Sequence, residues 1–204
     1  MRRVPGGVAA CLVAGCAALP LLAQVAPAAP ARVASPAPAA AAPPLAAKRV
    51  PASLEECAVW RREQSFAKSV EAHDAGAFAA HLHEGEVFNA GANEAERGRD
   101  AVVKGWADIV EGQKLQLRWR AGIVQIGGES GIALSRGPYI LQTGSGPATA
   151  WRVGFYQSIW TRSAPDATWD VLYDGSASTP QRMDSRAAAE AWAQEQPMSD
   201  CAAP

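Results

Sequence analysis

The sequence predicts an α+β domain in which helices come first and a long antiparallel sheet follows. Between Ser53 and Glu111 the apolar residues recur at three- and four-residue spacing, which is typical of helices. From Leu115 onward they alternate with polar residues, which is typical of half-buried strands. Every Trp, Tyr and Phe lies at or after Trp60, so the core must be built from the later residues.

Composition divides the chain into a tail and one domain. Of the 204 residues, the first 52 hold five of the 19 basic residues and none of the 20 acidic ones. The remaining residues therefore carry 14 basic and 20 acidic side chains, a net charge of −6. Their number suits a single core and excludes a second full domain. An acidic domain also argues against a nucleic-acid partner, because phosphate binding needs a clustered basic surface.

The N-terminus has the features of an export signal. Met1-Arg2-Arg3 is positively charged, and residues 8–23 are apolar but too short and too rich in small residues for a membrane-spanning helix. Two processing sites stay open. Either residues 1–15 are a lipoprotein signal and Cys16 is lipidated, or residues 1–28 are a signal peptide removed after Ala28. We therefore expect a periplasmic protein or an envelope lipoprotein, which meets the membrane only through that lipid.

The Ala/Pro-rich segment that follows, residues 29–52, is expected to be a disordered linker, because it cannot bury enough apolar area to offset its ordering entropy. Cysteine usage agrees with export. Of the four cysteines, either processing site leaves Cys57 and Cys201 available to pair. In an oxidising compartment a disulfide between them would join the two ends of the domain. The alternative is a free Cys201 on a frayed tail.

Three helices are predicted before the sheet. Ser53-Leu54-Glu55-Glu56 is a capping box that opens a helix to about Ala72, and Asp74-Ala75-Gly76 interrupts it. A second, short helix carries Phe78 and Leu82 four residues apart, and residues 86–89 form a short strand. The third helix spans residues 99–111, with an apolar face of Val102, Val103, Trp106 and Val110.

Four strands then follow one another with short loops, which predicts an antiparallel meander. The strands cover residues 115–126 with a bulge near Ala121-Gly122, 132–141 in two pieces, 151–160, and 169–174. The domain is expected over residues 53–180. Residues 181–204 form a C-terminal helix and tail, the helix being capped by Asp184 or Ser185 and covering residues 186–196.

The order of these motifs resembles the nuclear transport factor 2-like superfamily, and most closely its SnoaL-like and ketosteroid-isomerase-like bacterial members. The motifs are Phe66, Ala75-Gly76, Phe78, Leu82, Glu86-Val87-Phe88, Gly98-Arg99-Asp100-Ala101-Val102, Gly154-Phe155-Tyr156, Ile159-Trp160, Trp169-Asp170-Val171-Leu172 and Asp174-Gly175. The resemblance covers residues 54–178. It implies a cystatin-like curved sheet wrapped around the helices, a cone with a deep apolar pocket, and often a homodimer.

The resemblance also implies an aspartate base near the first strand, facing hydrogen-bond donors, where a family member is an isomerase. Here the corresponding segment ends in Asn89 and Ala90, and an amide cannot act as a base at neutral pH. The first helix has Lys68 and Ser69 where a tyrosine donor would be expected. Isomerase chemistry of that type is therefore not predicted.

Other titratable candidates are His81, His83 and Asp174. The two histidines suit proton transfer near neutral pH, but two residues apart on a short helix they would point to different sides. A metal site is not expected because a third ligand is missing. Asp174 is predicted to face outward, since Trp169, Val171 and Tyr173 alternate with it and would face the core.

Large aromatic residues are the stronger indication of a binding site, because aromatics on a concave sheet can line a ligand pocket. The same residues could instead fill the core. The residues expected to line the pocket are Trp106, Trp119, Tyr139, Trp151, Phe155, Tyr156 and Trp160. An anionic ligand would be favoured if two or three of the strand arginines shared the pocket face. These are Arg118, Arg120, Arg136 and Arg152.

Three functions are compatible with these observations. The preferred one is a non-enzymatic protein of the cell envelope that binds a small apolar or anionic ligand. The second is a homodimeric interaction module, and the third is a SnoaL-like isomerase, dehydratase or cyclase with His81 or His83 as base. No cofactor is expected, because the sequence has no phosphate-binding glycine loop, paired-cysteine metal motif or nucleophile elbow.

Overall fold

The computed structural model describes residues 47–89, 94–113, 115–128 and 131–201. All of them lie in one compact unit, Ala42–Pro204. The expected signal, the lipidation site Cys16 and most of the linker lie outside the described residues. In chain order the elements are β1 (Arg49–Val50), α1 (Leu54–Glu71), α2 (Ala75–Ala79), β2 (Leu82–Phe88), β3 (Glu96–Arg97), α3 (Arg99–Gly105), α4 (Ala107–Val110), β4 (Leu115–Trp119), β5 (Ile123–Ile126), β6 (Ile132–Thr143), β7 (Ala150–Thr161), β8 (Asp170–Ser176), β9 (Gln181–Met183), α5 (Arg186–Gln194) and β10 (Met198–Ser199).

Helix α1 begins as predicted and packs its apolar stripe against the sheet. The Ser53 hydroxyl accepts from the backbone N–H of Glu56, whose carboxylate in turn accepts from the N–H of Ser53, so the capping box is complete. Val59, Phe66 and Val70 are buried in one core cluster with Trp160 and other inner-face residues. Another buried residue of this helix, Glu63, is charged and is considered below.

Three predicted elements differ in their bounds. Leu82 does not extend α2 but opens β2, which starts four residues earlier than expected. The third helix is divided at Trp106 into α3 and α4. The two pieces expected over residues 132–141 are one continuous strand, β6. The two strand differences follow from tertiary pairing, because β8 and β7 supply hydrogen bonds to β2 and β6 that local pattern alone does not predict.

The main sheet has the strand order β3-β2-β8-β7-β6-β4, with β5 also paired to β6 and β9 to β7. Strands β4 to β8 form the predicted antiparallel meander. The sheet is nevertheless mixed, because β2 pairs parallel to β8. This parallel pair brings the end of the first long strand beside the end of the last one, which is where the cavity lies.

Two bulges interrupt the described strands of the antiparallel meander. Between β4 and β5 three residues, Arg120 to Gly122, oppose only Gly137 and Pro138 of β6, as the sequence predicts. The second bulge is in β8, where Ile159 pairs with Tyr173 but Trp160 pairs with Val171, so Leu172 is the extra residue. After Leu172, the residues of β8 that simple alternation would place inward face outward, and those that it would place outward face inward.

The two ends of the unit meet on one side of the sheet. Cys57 in α1 forms a disulfide with Cys201. Strand β1 pairs with β10, so Arg49 and Val50, which were expected in the disordered linker, form a short strand. Helix α5 is capped by Ser185 and packs on the outer face, where Trp192 contacts Phe155 at 5.3 Å between ring centroids.

Candidate functional site

A cavity of about 310 Å³ opens between the inner face of the sheet and helices α3 and α4. Its walls are mainly apolar, and their polar groups gather at the end formed by β2, β3 and β8. The lining residues are Asn89, Glu96, Gly105, Trp106, Ile109, Leu115, Leu117, Trp119, Tyr139, Leu141, Tyr156, Asp174, Gly175 and Ser176. Its size is at the lower end of the range of about 300–1,000 Å³ that is usual for small-molecule sites.

Asp174 lines this cavity, so the prediction that it faces outward is wrong. The cause is the bulge at Leu172, after which Tyr173 is 43% exposed and Asp174 turns inward with its partner Ser158. The Ser158 hydroxyl donates to Asp174 Oδ2 at 2.7 Å. Burial raises the pKa of Asp174 to about 8, the Ser158 hydroxyl opposes this rise, and the Glu63 carboxyl adds to it. At neutral pH Asp174 is therefore a neutral acid, able to donate a hydrogen bond.

A second carboxyl, Glu96, lies on the same inner row of the sheet. Phe88 pairs with Glu96 on one side and with Asp174 on the other. Gly105 makes room for the Glu96 carboxyl, since a Cβ at that position would lie 1.9 Å from Glu96 Oε1. Glu96 Oε2 is buried and has no hydrogen-bond partner. The polar end of the cavity therefore carries two carboxyl groups.

Four of the seven aromatic residues expected in the pocket line the cavity: Trp106, Trp119, Tyr139 and Tyr156. The expectation is wrong for the other three. Trp160 is fully buried beneath the cavity. Phe155 lies on the opposite face of β7, against Trp192, because adjacent strand residues point to opposite faces. Trp151 lies four residues before Phe155 on the same strand and therefore on the same face, and it does not line the cavity.

The strand arginines do not enter the cavity. Arg118 lies 4.0 Å from Glu190 of α5, and Arg120 donates to the carbonyls of Ala193 and Gln196. Arg136 stacks over Phe155 on the outer face, with 4.0 Å between its guanidinium carbon and the ring centroid. Arg152 is exposed. Among the described lining residues there is no Lys, Arg or His, so the condition that would favour an anionic ligand is not met.

Neither histidine candidate is near the cavity. His81 is buried against Phe66, with Nδ1 2.6 Å from the Ala77 carbonyl and Nε2 3.1 Å from the Ser65 hydroxyl. Burial lowers the pKa of His81 to about 4, so it is neutral and fully bonded. His83 lies in β2, not on a helix, and its Nδ1 accepts from the N–H of Gly85. No cluster of metal-ligating side chains is present in the described part of the chain.

Sequence reasoning missed Glu63, which lies behind the cavity. Its Oε1 accepts from Trp119 Nε1 at 2.8 Å, and its Oε2 accepts from Trp160 Nε1 at 2.9 Å. The spacing could have revealed it, because Glu63 falls on the apolar stripe between Val59 and Phe66. A charged residue at such a position is rarely buried without a specific role.

At the positions implied for the isomerase base and donor, the structure has other groups. Asn89 lines the cavity with a left-handed backbone, φ 54°, and its N–H donates to the Asp174 carbonyl. Ser69 is buried and bonded to the Phe66 carbonyl, and Lys68 is exposed. The segment after the first long strand therefore contributes an amide, Asn89, and the last long strand contributes a carboxyl, Asp174. No helix in the part of the chain that the structure describes is long and apolar enough to cross a membrane.

Solved structures with the same architecture decide the fold. A ketosteroid isomerase-like protein from Erwinia carotovora atroseptica superposes with a TM-score of 0.51 at 10% identity, over 63% of this chain and 100% of that one. The chain has the nuclear transport factor 2-like fold. A conserved protein from Planctomyces limnophilus gives a TM-score of 0.50 at 16% identity, over 63% of this chain and 98% of that one. No family model matches the sequence, and no curated protein matches it.

At these identities the comparison establishes the nuclear transport factor 2-like fold. The cone and its cavity are common to the fold. What the described residues of this chain add is the particular set of groups around the cavity: Asp174 and Glu96 at its polar end, and the buried Glu63 behind it.

Proposed function

We propose that this protein binds a small, largely apolar, uncharged molecule whose oxygen atom accepts a hydrogen bond from Asp174. One observation carries the proposal: a carboxylic acid with a pKa of about 8 lies in an apolar cavity walled by aromatic rings. A neutral acid offers an O–H donor to a carbonyl oxygen, whereas a carboxylate would repel it. The aromatic walls supply most of the binding free energy through buried apolar area.

Two naphthalene derivatives of matched shape test the proposal. 2-Acetylnaphthalene carries a carbonyl oxygen, and 2-isopropenylnaphthalene has the same trigonal geometry with a CH₂ group in place of that oxygen. We expect both to bind, the ketone more tightly at pH 6.5, by isothermal titration calorimetry. Its affinity should fall roughly tenfold by pH 9.5, because the ionised Asp174 no longer donates. The hydrocarbon should show no such change.

Asp174→Asn is the matched variant, since the amide still donates but does not titrate. The ketone should bind this variant with an affinity that does not depend on pH. Absence of binding by both compounds, or a ketone affinity that is unchanged between pH 6.5 and 9.5 in the wild-type protein, would contradict the proposal.

A second candidate is a proton-transfer enzyme with Asp174 as acid and base, favoured because its pKa lies near the working pH. The methyl protons of 2-acetylnaphthalene lie next to its carbonyl, and a base that removes one of them leaves an enolate that takes up deuterium from D₂O. NMR then shows exchange that rises through about pH 8, as Asp174 ionises, and that disappears in Asp174→Asn. Binding without deuterium exchange would favour the ligand-binding function over the enzyme.

We also propose that the protein is exported and acts in the cell envelope. The Cys57–Cys201 disulfide supports this, because such bonds persist mainly in oxidising compartments. The basic and apolar start of the sequence supports it as well. The intact mass of the mature protein, extracted from the envelope, tests it: a chain that begins at lipidated Cys16 or after Ala28 is expected, and a full-length chain would contradict export. A native mass spectrum of the same preparation gives the number of subunits and so tests the predicted homodimer.

A further inference from the structure

Glu63 is fully buried and surrounded by hydrogen-bond donors. The indole N–H groups of Trp119 and Trp160 donate to its two oxygens at 2.8 and 2.9 Å. The hydroxyls of Ser135 and Ser158 also lower the pKa of Glu63. Burial raises the pKa of the Glu63 carboxyl, and all four donors oppose that rise. Donors of this kind stabilise the ionised form of a carboxyl. None of these partners is a cation, so any negative charge on Glu63 is left uncompensated.

Ser158 connects this carboxyl to the cavity. Its side chain is fully buried, and its hydroxyl donates to Asp174 Oδ2 at 2.7 Å. The same hydroxyl also lowers the pKa of Glu63. A hydroxyl has one proton, so it can donate to only one of the two carboxyls at a time. The two acids are therefore joined through one side chain, and each ionises in the presence of the other.

We infer that Glu63 is a positioning residue for the candidate site: as a buried carboxylate it keeps the proton on Asp174, and so makes the cavity selective for ligands that accept a hydrogen bond. The effect on ligand selectivity rests on the proposed function, whereas the argument that Glu63 is ionised rests on the hydrogen-bond geometry. Two indole N–H groups donate to Glu63, one to each oxygen, whereas Asp174 has a single side-chain donor, Ser158. As pH rises, Glu63 therefore ionises first. Its negative charge then opposes the ionisation of Asp174.

The other titratable groups around Asp174 do not account for the opposition to its ionisation. Tyr156 on β7 and Tyr139 on β6 face the cavity, and Glu96 on β3 lies across Phe88. The Tyr156 hydroxyl lies 3.3 Å from both Ser135 Oγ and the Arg120 carbonyl. Burial raises the pKa of Tyr156 well above its ordinary value, and the charge of Glu63 raises it further. Tyr156 therefore stays neutral. In the described lining no cation offsets Glu63.

The test is an NMR titration of the Asp174 carboxyl carbon in the ligand-free protein, with Asp174→Asn to assign the signal. Glu63→Gln removes the charge and should lower the midpoint by about one pH unit or more. Ser158→Ala removes a donor that stabilises the ionised Asp174 and should raise the midpoint. These opposite directions separate the inference from simple loosening of the core, which would lower both midpoints by admitting water.

Glu86→Gln is the matched control, because Glu86 is also fully buried but does not line the cavity. It should leave the Asp174 midpoint unchanged. The inference is overturned if Glu63→Gln leaves the midpoint in place, or if Ser158→Ala lowers it or leaves it unchanged. Should Glu63→Gln not fold, Trp160→Phe takes its place. It removes one indole donor from Glu63 and so weakens the charge there, which should lower the Asp174 midpoint, and an unchanged midpoint would overturn the inference. Because no ligand is present, these results are independent of whether the naphthyl ketone binds.

Discussion

At the scale of single residues, Asp174 couples the candidate site to stability. Its pKa is about 8 in the folded protein against an ordinary value of 3.8, so the folded state holds a proton that the unfolded state releases. The stabilisation this gives is complete below pH 3.8 and is lost as pH rises through 8. The loss amounts to at most about 1.4 kcal/mol per pH unit within that window. A polar group suited to a ligand thus makes the fold less stable near neutral pH.

Asp174→Asn should therefore gain stability relative to the wild-type protein as pH rises. Between pH 5.5 and 8.5 we expect the difference in free energy of unfolding to change by about 2–3 kcal/mol in favour of the variant. Urea denaturation at both pH values measures it. Asp166→Asn, at an exposed position, is the control for the substitution itself. A difference for Asp174→Asn that is the same at both pH values would show that Asp174 is ionised in the folded protein.

At the scale of secondary-structure elements, the two bulges decide where the strand residues point. The first bulge needs glycine at two facing positions. A Cβ on Gly122 would lie 2.3 Å from the Arg136 carbonyl oxygen, and one on Gly137 would lie 2.3 Å from the Arg120 carbonyl oxygen. Because these are backbone atoms in paired strands, they cannot move aside cheaply, and the sheet bends here only without the side chains.

Gly122→Ala should therefore destabilise the protein by about 2–3 kcal/mol, through overpacking against the backbone of β6. Gly127→Ala is the matched control, because a Cβ there would meet no atom within 4 Å. Urea denaturation at one pH compares the two. Equal losses for both variants would mean that the close approach of the strands at Gly122 does not limit the fold.

The same bulges explain which parts of the structure the sequence could predict. The capping box of α1, the four meander strands and the bulge at Ala121-Gly122 are encoded locally, and all are present. The bulge at Leu172 depends on how β8 pairs with β7, which one strand's pattern does not contain. A single extra residue exchanged the faces of Tyr173 and Asp174. That is why the acid at the centre of the candidate site was predicted on the wrong side.

Glu63 is a different case, since the information was present. It lies four residues after Val59 on a stripe whose other members are buried, so its burial could have been predicted. Its partners could not, because Trp119 and Trp160 come from strands far along the chain. Helical period identifies which residues face the core, but only the folded sheet determines what they meet there.

At the scale of the whole molecule, a disulfide joins the first helix of the described unit to its last described residue, Cys201. Cys57 and Cys201 are 144 residues apart in sequence and both are buried. The adjacent strands β1 and β10 pair over only two residues each, so the backbone bonds there are few. The disulfide is therefore the main restraint on these ends, and on the chain-entropy model a loop of this length contributes about 4–5 kcal/mol.

Replacing both cysteines by alanine should lower Tm by about 10 °C, since a domain of this size loses roughly 2–4 °C per kcal/mol. Differential scanning calorimetry with and without a reductant measures this. The wild-type protein should melt at the lower temperature once reduced, and the double variant should not respond. A fully reduced wild-type protein with unchanged Tm would show that the ends are held by packing alone. The expected result would mean that the fold reaches its full stability only where thiols are oxidised, which is the compartment that the export proposal requires.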